Sequence, residues 1–417
     1  MGGSAFSKHI SEYAKAKGIY LIAVGKVEDA PYKTISDESY MIDTMDVDRV
    51  VALIKHRNID GVFVGASEEN ISSAITISEL AGLPFYTNRY QWDALSNKLF
   101  FKKLLKEHDI GVTEELCIEC NGNSCNFENV QYPVIIKPVD GAGAKGIYVC
   151  NNKEELANSY SKALNYSKSK MVVVEKYLQE TEDFFVRYHL QDGVFSISSS
   201  FDKYVTSNNN YLPGLPLAYL HPSKYLDSYI KHVDNKMKKA FNSLKLNNGM
   251  ISLQGLVDKN NNFYFYEAGY RLGGSQSYIF TDALNNSNSL HYMINYAITG
   301  KMASFNIINR DDPYFKKPCC NLYIPLHPGN ITEVKGIKSI RNMPEVLNVT
   351  EMFTSDVTIK NTGNLDQVWL RMHILAKDKR ELSEAIDKIN RTLSIFDEYG
   401  NDMVIERFDL DVMHNSY

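Results

Sequence analysis

Hydrophobic and polar positions alternate along the first ninety residues in a pattern that predicts helices and strands in turn. Amphipathic helical spacing covers residues 7–17, 46–56 and 68–80, whereas short apolar runs at 20–24 and 61–65 are typical of buried strands. This alternation predicts a small doubly wound parallel sheet. A glycine turn at residues 2–4 leads into the first helix with no strand before it. We therefore expect either a first strand missing through a misassigned start or a sheet that has lost an edge.

The pattern in the middle of the chain predicts strands and hairpins between a few helices. One amphipathic helix with four lysines is expected from Leu95 to His108. Strands are expected at 132–137, 146–150 and 171–174, and Asn152 caps the helix that follows the second strand. A hairpin at 184–200, a helix at 225–244 and a second hairpin at 250–267 complete this region.

The pattern after about residue 311 predicts a terminal α+β domain. Apolar strands are expected at 322–324, 346–349 and 368–374, and a helix at 378–395. The predicted organisation is therefore an amino-terminal α/β domain at 1–95, a central domain at 96–310 and a carboxy-terminal α+β domain at 311–417. Within the central domain, residues of about 112–178 form a subdomain around a glycine-rich loop.

Composition and charge exclude several classes of protein. The chain of 417 residues is 44% hydrophobic and 23% charged, as expected for a soluble globular protein. A net charge of −5 gives no basic footprint for nucleic acid, and no apolar run approaches the length of a membrane span. The first residues also lack the basic start and apolar core of a signal peptide, so we expect a cytoplasmic protein with neither nucleic-acid nor membrane partners.

The six cysteines do not indicate a disulfide framework in such a protein. Cys117 and Cys120 have the spacing of zinc ligands, and Cys125 follows, but the loop offers no fourth ligand. We therefore expect a surface loop with free thiols. Cys319 and Cys320 open a predicted strand and are expected to pack in the core.

The hairpin at 250–267 ends in residues with metal and phosphate chemistry. Its turn can place Gln254 opposite Glu267, with Arg271 and two glycines just beyond. Two oxygen ligands beside a guanidinium suit a hard cation that carries a nucleoside triphosphate. The alternative is an exposed hairpin with ordinary polar residues.

A glycine-rich loop lies between two of the predicted strands. Gly141, Gly143 and Gly146 match Gly-x-Gly-x-x-Gly, but the loop connects strand to strand, unlike the dinucleotide-binding motif, and no Gly-Lys-Ser/Thr follows. Such a hairpin can cover a triphosphate with backbone N–H groups while Lys137, on the preceding strand, supplies positive charge. The alternative is a mobile hairpin tip.

In order and spacing these motifs resemble the ATP-grasp superfamily over most of the chain. The resemblance assigns nucleotide contacts to Lys98, to Lys137 and to the three loop glycines. It assigns adenine recognition to a hinge of Glu175, Lys176, Tyr177 and Leu178, and ribose recognition to Glu182. Gln254 and Glu267 match the metal pair, and Arg271 matches the arginine that steadies an acyl phosphate.

The resemblance implies an ATP-grasp fold of mixed α/β and α+β class and a carboxylate–amine ligase that uses ATP and Mg²⁺, or Mn²⁺. Its substrates would be a small carboxylate and an amine, amino acids among them, and a homodimer is implied. A bicarbonate- or carbamate-phosphorylating enzyme and a catalytically weak ATP-binding regulator stay open. The regulator is suggested by Gly269, which stands where the family has a metal-binding Asn.

Overall fold

The amino-terminal region consists of helices packed around a short parallel sheet. The computed structural model describes residues 6–28, 30–121, 124–140, 145–207, 214–354 and 357–416. Its first helices are α1 (Ser7–Lys17), α2 (Pro31–Thr34), α3 (Val47–Arg57), α4 (Glu68–Ala81) and α5 (Arg89–Ser96), and β1 (Ile22–Val24) pairs in parallel with β2 (Glu38–Tyr40). The glycine turn at 2–4 lies outside the described residues. The predicted helices and first strand are confirmed to within a few residues.

The prediction of a strand at 61–65 is wrong, because this segment is not assigned to any strand or sheet of the described residues. Val62 and Val64 are buried in the apolar cluster that also contains α3 and α4 residues, while Phe63 packs on a second cluster. An ideal Cβ on Gly61 would lie 2.2 Å from the Ala297 carbonyl oxygen, so the segment is pressed against α11 (Ser289–Thr299). A short apolar run indicates burial on two sides, and it does not specify a strand partner.

The predicted helix at 95–108 is interrupted at Asn97. Helix α5 ends at Ser96, and α6 (Lys98–Glu107) begins after Asn97, whose side chain accepts hydrogen bonds from the N–H groups of Leu99 and Phe100 at 3.0 and 3.3 Å. Asparagine favours this capping position over a helix interior. Lys98 is therefore the first residue of a helix.

The subdomain around the glycine loop contains a three-stranded antiparallel sheet. It comprises β3 (Glu119–Asn121), β4 (Ser124–Asn126), β5 (Val134–Pro138), β6 (Tyr148–Cys150), α7 (Lys153–Tyr166) and β7 (Val172–Lys176), in the sheet order β6-β5-β7. Asn152 caps α7 as predicted, accepting from the Glu155 N–H at 2.9 Å. Antiparallel pairing places Glu175 opposite Ile135, and Lys137 lies two residues further along β5.

An eight-stranded antiparallel sheet runs through the middle of the molecule. Its strands are β8 (Thr181–Gln191), β9 (Val194–Val205), β10 (Pro216–His221), β11 (Gly249–Asp258), β12 (Phe263–Gly269), β13 (Cys319–Pro325), β15 (Val346–Glu351) and β16 (Val368–Leu375), in the order β12-β11-β8-β9-β10-β13-β16-β15. The small pair β14 (Glu333–Lys335) and β17 (Ser394–Phe396) lies outside it. The remaining helices are α8 (Leu226–Tyr229), α9 (Asn235–Ser243), α10 (Tyr278–Asn285), α11, α12 (Ile337–Arg341), α13 (Lys379–Thr392) and α14 (Leu410–Ser416), with a π-helical turn joining α8 to α9.

The two faces of this sheet have different environments. On β8, Val186 and Tyr188 lie in the apolar core with α9, and alternation directs Phe185 and Arg187 to the other face. Gln254 lies directly opposite Phe185 on the neighbouring strand, so Gln254 belongs to this second face of the sheet. We call this second face the site face.

The elements predicted after residue 311 are confirmed, but their strands extend the central sheet. β13 pairs with β10 and with β16, so one sheet crosses the proposed boundary at 311. The mixed α/β and α+β class is confirmed, and the domain limits stay a prediction. In the described part of the chain, no helix is long and apolar enough to cross a membrane.

Candidate active site

The predicted metal pair is formed by two neighbouring strands. Gln254 on β11 and Glu267 on β12 are directly opposite, as the sequence predicted, and a bulge follows Gln254. The Gln254 amide donates to Glu267 Oε1 at 3.2 Å. One carboxylate and one amide are hard oxygen donors that suit Mg²⁺, which commonly retains waters and shares substrate phosphates. The donor set therefore fits the implied ion.

Lys98 lies beside this pair. The cap at Asn97 starts α6 so that the Lys98 side chain is buried, with Nζ 3.6 Å from Glu267 Oε2. In this arrangement the ammonium neutralises the carboxylate that is proposed to bind the metal. A bound cation would compete with it for the same oxygen, and Lys98 could then turn to phosphate.

Lys137 is held by a buried network around Glu175. Its Nζ lies 2.7 Å from Glu175 Oε2 and 5.2 Å from the centre of the Tyr266 ring. The other oxygen of Glu175 pairs with Lys102, and the Thr113 hydroxyl donates to Oε2 at 2.7 Å. Burial alone would raise the pKa of Glu175, but Lys137 and Lys102 outweigh it and hold that pKa below 4.5. The carboxylate is thus ionised and shared between two lysines.

Lys102 is a residue that sequence reasoning did not place in the site. It lies four residues after Lys98, hence on the same side of α6, and that spacing is the signal that could have identified it. Its ammonium also donates to the Thr113 carbonyl at 3.0 Å. Lys102 therefore connects α6, which begins at Lys98, to Glu175 on β7, which also pairs with Lys137.

The hinge residues are only partly available to an adenine. Glu175 is fully buried in the lysine network, and the backbone N–H groups of Lys176 and Tyr177 donate to Glu114 O and Pro133 O at 3.0 and 3.1 Å. Leu178 is half-buried at the end of the segment. Contacts from Lys176 and Tyr177 to a base would have to use their carbonyl oxygens or side chains.

Glu182 is not brought to the metal pair. It pairs with Lys224 at 2.6 Å, and strand alternation places it on the opposite side of β8 from Asp183. Asp183 accepts from the Tyr266 hydroxyl at 3.2 Å, next to Glu267 in sequence. Asp183 is therefore the carboxylate of this strand that lies on the site face.

The glycine loop is described only at its end. Gly141 and Gly143 lie outside the described residues. Gly146 has φ +75°, a backbone conformation that favours glycine. An ideal Cβ there would also lie only 2.8–2.9 Å from the Tyr166 and Pro138 side chains, so any larger residue would clash.

Arg271 is paired with a residue of the amino-terminal region. Its Nε and one terminal nitrogen donate to Glu68 Oε1 at 3.1 and 2.7 Å, and its other terminal nitrogen donates to the Leu272 carbonyl. Glu68 is the first residue of α4, after the capping residue Ser67. An ideal Cβ on Gly269 would lie 3.6 Å from Arg271 Cζ, an ordinary contact, so Gly269 faces the same guanidinium.

The cysteines were the other candidates for site chemistry. Cys117 is an exposed free thiol, and the side chains of Cys120 and Cys125 lie outside the description; no group of three or more metal-binding side chains occurs among the described residues. Cys319 and Cys320 are fully buried, and burial raises the pKa of both thiols.

Each of the three candidate cations is matched by a carboxylate: Lys98 by Glu267, Lys137 by Glu175 and Arg271 by Glu68. Cations near a magnesium-type donor pair can position and neutralise a transferring phosphoryl group. The fold is the ATP-grasp fold that the sequence resemblance implied.

Comparisons with known proteins agree. Residues 98–188 match the family described as "Carbamoyl-phosphate synthase L chain, ATP binding domain". The chain is 26% identical over 189 residues to a formate-dependent phosphoribosylglycinamide formyltransferase of Prochlorococcus marinus, covering 44% of this chain and 48% of that protein. It is 22% identical to the protein of the same name from Sulfurisphaera tokodaii, and the match covers 58% of this chain and 62% of that protein. The chain thus spans about half to three fifths of these curated relatives.

Solved structures show the same fold across nearly the whole chain. An L-amino acid ligase from Bacillus licheniformis superimposes with a TM-score of 0.77 at 16% identity, covering 94% of this chain and 95% of that one. The biotin carboxylase domain of Hydrogenobacter thermophilus 2-oxoglutarate carboxylase, in complex with MgADP and bicarbonate, superimposes with a TM-score of 0.74 at 16% identity. The match covers 97% of this chain and 90% of that one. Of these proteins, the L-amino acid ligase has a name that matches the ligase class predicted from the sequence.

Proposed function

We propose that this protein is an ATP-dependent carboxylate–amine ligase that forms an amide through an acyl phosphate. The observation that supports it most is that Lys98 contacts Glu267 of the Gln254–Glu267 pair while Lys137 lies over the ring of Tyr266, the residue next to Glu267. The match of residues 98–188 to an ATP-binding family supports ATP as the phosphoryl donor. Mg²⁺ at the pair would neutralise phosphate charge; Mn²⁺ is a second candidate ion.

In the proposed reaction a substrate carboxylate oxygen attacks the γ-phosphorus, the bond to ADP breaks, and an acyl phosphate forms. The amine then attacks the acyl carbon, the carbon–oxygen bond to phosphate breaks, and the amine loses a proton. Lys137 would hold the transferring phosphate, and Arg271 would stabilise the negative charge on the acyl-phosphate oxygens. No protein nucleophile is required, because positioning and charge neutralisation supply the rate enhancement.

The test is phosphate release from ATP over a panel of amino-acid pairs, together with ATP binding by calorimetry. Lys137→Met is expected to abolish release, whereas Lys153→Met is its control, because Lys153 is an exposed lysine of α7 paired with Glu128. ATP binding without ADP formation for any carboxylate–amine pair would contradict the ligase and favour a regulator. Release with bicarbonate alone would favour the carbamoyl-phosphate-synthase-like reaction.

Amino acids as substrates, a homodimer and a cytoplasmic location stay predictions. Light scattering coupled to size-exclusion chromatography tests the dimer directly.

A further inference from the structure

Two arginines are buried on the site face and have no acidic partner among the described residues. Arg187 on β8 is 5% exposed and Arg371 on β16 is 2% exposed. In the described part of the chain, neither guanidinium is paired with a carboxylate. Most buried charges are paired, because taking an ion out of water costs several kcal/mol before its partner compensates. Two unpaired guanidinium groups on one face therefore need an explanation.

Arg187 has one nitrogen with no partner. Its Nε donates to Ser252 Oγ at 3.0 Å, one terminal nitrogen donates to Ser275 Oγ at 2.8 Å, and its guanidinium lies 4.9 Å from the centre of the Phe201 ring. The other terminal nitrogen is buried with no hydrogen-bond acceptor among the described residues. Burial, with Arg271 and Arg371 nearby, lowers the pKa of Arg187 to about 10, so the group is still a cation at neutral pH.

Arg371 supports the loop that follows Arg271. Its two terminal nitrogens donate to the Gly274 carbonyl and to Gln276 Oε1, and its Nε has no acceptor in the described structure. Ser275, between these two residues, is the partner of Arg187. Both arginines therefore contact one segment, residues 273–277, from the sheet beneath it.

This arginine pair lies close to the candidate reacting centre. Arg187 is directly opposite Ser252, which is two residues before Gln254 on the same face of β11. Two residues of a strand span about 7 Å, so one small molecule can reach both places.

An aromatic row leads from Arg187 to Arg371. The rings of Phe201 and Tyr219 are 4.8 Å apart and those of Tyr219 and Tyr323 are 4.7 Å apart. Tyr323 lies directly opposite Arg371. Tyr219 is half-buried, whereas Phe201 and Tyr323 are buried, so the middle of this aromatic row is its most exposed part.

We propose that Arg187, supported by Arg371, binds an anionic group of the amine-bearing substrate. This assignment of a substrate class rests on the proposed ligase function. A carboxylate or a phosphate would accept from the unpartnered guanidinium nitrogen and neutralise the buried charge. The amine attached to it would then lie within one small-molecule length of the Gln254–Glu267 pair.

The first test needs no turnover. Thermal unfolding is measured for wild type and Arg187→Met in chloride, acetate and inorganic phosphate at equal ionic strength, with MgADP present. In chloride the variant is expected to melt at a higher temperature, because an unpaired buried charge is removed. Acetate or phosphate should raise the midpoint of wild type and not that of the variant. A lower midpoint for the variant in chloride, with the anion effect retained, would show a structural brace and overturn the proposal.

The matched control is Arg310→Met. Arg310 also stacks on a ring, 3.9 Å from the centre of Phe305, but its guanidinium is exposed and donates to the Asn286 carbonyl away from the site face. It is expected to respond to the anions as wild type does. An Arg310→Met variant that also lost the response would show that the loss is not specific to Arg187 and would overturn the proposal.

The second test uses substrate pairs that differ only in charge. Glycine is compared with glycinamide, and phosphoethanolamine with ethanolamine, as amines in the phosphate-release assay. Arg187→Lys is expected to raise KM for the charged member by about 10- to 100-fold, with KM for ATP unchanged. The pair that responds identifies carboxylate or phosphate as the anion. Equal effects on charged and neutral amines would overturn the proposal. If no amine supports release but the anion-dependent stabilisation is lost in Arg187→Met, the ligase fails and the anion site stands.

Discussion

Replacing Lys102 by methionine removes one member of the buried network that joins α6 to β7. The Lys102 side chain is 1% exposed and that of Glu175 is fully buried. Breaking a buried ion pair by deleting one partner costs about 3–5 kcal/mol. Glu175 would still pair with Lys137 at 2.7 Å, so we expect a cost near the lower limit of that range. The Thr113 carbonyl would lose its hydrogen-bond donor, which adds about 1 kcal/mol to the cost. We expect Lys102→Met to lower the free energy of unfolding by about 3–4 kcal/mol.

Lys106→Met is the matched control for this substitution. Lys106 lies one turn further along α6, is 55% exposed, and approaches Glu115 at 3.8 Å. An exposed pair of this kind contributes about 0–1 kcal/mol. Urea unfolding followed by circular dichroism measures both variants, and hydrogen exchange of peptides from α6 and β7 shows where stability is lost. Equal effects of the two substitutions would refute the reasoning.

The pH dependence of the Lys102→Met effect gives an independent check. Because the folded-state pKa of Glu175 lies below its ordinary 4.5, the stability this carboxylate provides is fully present above that pH and is lost as the pH falls through the folded value. The difference between wild type and Lys102→Met should therefore be largest near neutral pH and narrow in acid. A difference that is constant across this range would mean that charge is not its cause.

Three further substitutions test other parts of the site and fold. Glu68→Gln weakens the ion pair that holds Arg271 and should lower kcat about 10-fold with KM for ATP unchanged. Its control is Glu69→Gln, because Glu69 is the exposed neighbour that pairs with Lys168. Equal losses of kcat in the two variants would contradict a role for the Glu68–Arg271 pair. Gly269→Asn fits sterically, with its Cβ at 3.6 Å from the nearest atom, and should lower the Mg²⁺ concentration for half-maximal activity; unchanged metal dependence and rate would show that the position does not face the ion. Burial raises the pKa of Asp202 to about 6, so its contribution to stability is full below 3.8 and is lost as the pH rises through 6. Asp202→Asn should flatten that decline in urea midpoints measured from about pH 4 to about pH 7, and an unaltered decline would assign it to another group.

Local patterns predicted those parts of the site that depend on neighbouring residues. The turn at 258–262 and the alternation on either side of it were sufficient to place Gln254 opposite Glu267. Prediction failed where a pattern had two physical causes. The apolar run at 61–65 comes from burial between two clusters. The helical apolar spacing across 95–108 contains a break, which only Asn97 indicates in the sequence.

The pairing of charges lay beyond such patterns. Glu68 is 203 residues from Arg271 in the chain, and Glu175 is 73 residues from Lys102. Neither glutamate has a spacing relation to its partner, since only the packing of α4 and α6 against the sheets brings them together. The same applies to Arg187 and Arg371, which share a loop and an aromatic row although they come from distant strands.

The sequence by itself determined which residues are candidates for binding phosphate and metal, their order along the chain, and the hairpin register, because strand and helix periods are local properties. Tertiary structure decided that the terminal strands extend the central sheet, that Asp183 and not Glu182 lies on the site face, and that each candidate cation has its own carboxylate. It also decided that Arg187 and Arg371 are buried with no carboxylate partner among the residues that the structure describes. Charge neutralisation depends on distances through space, and only the folded chain fixes those distances.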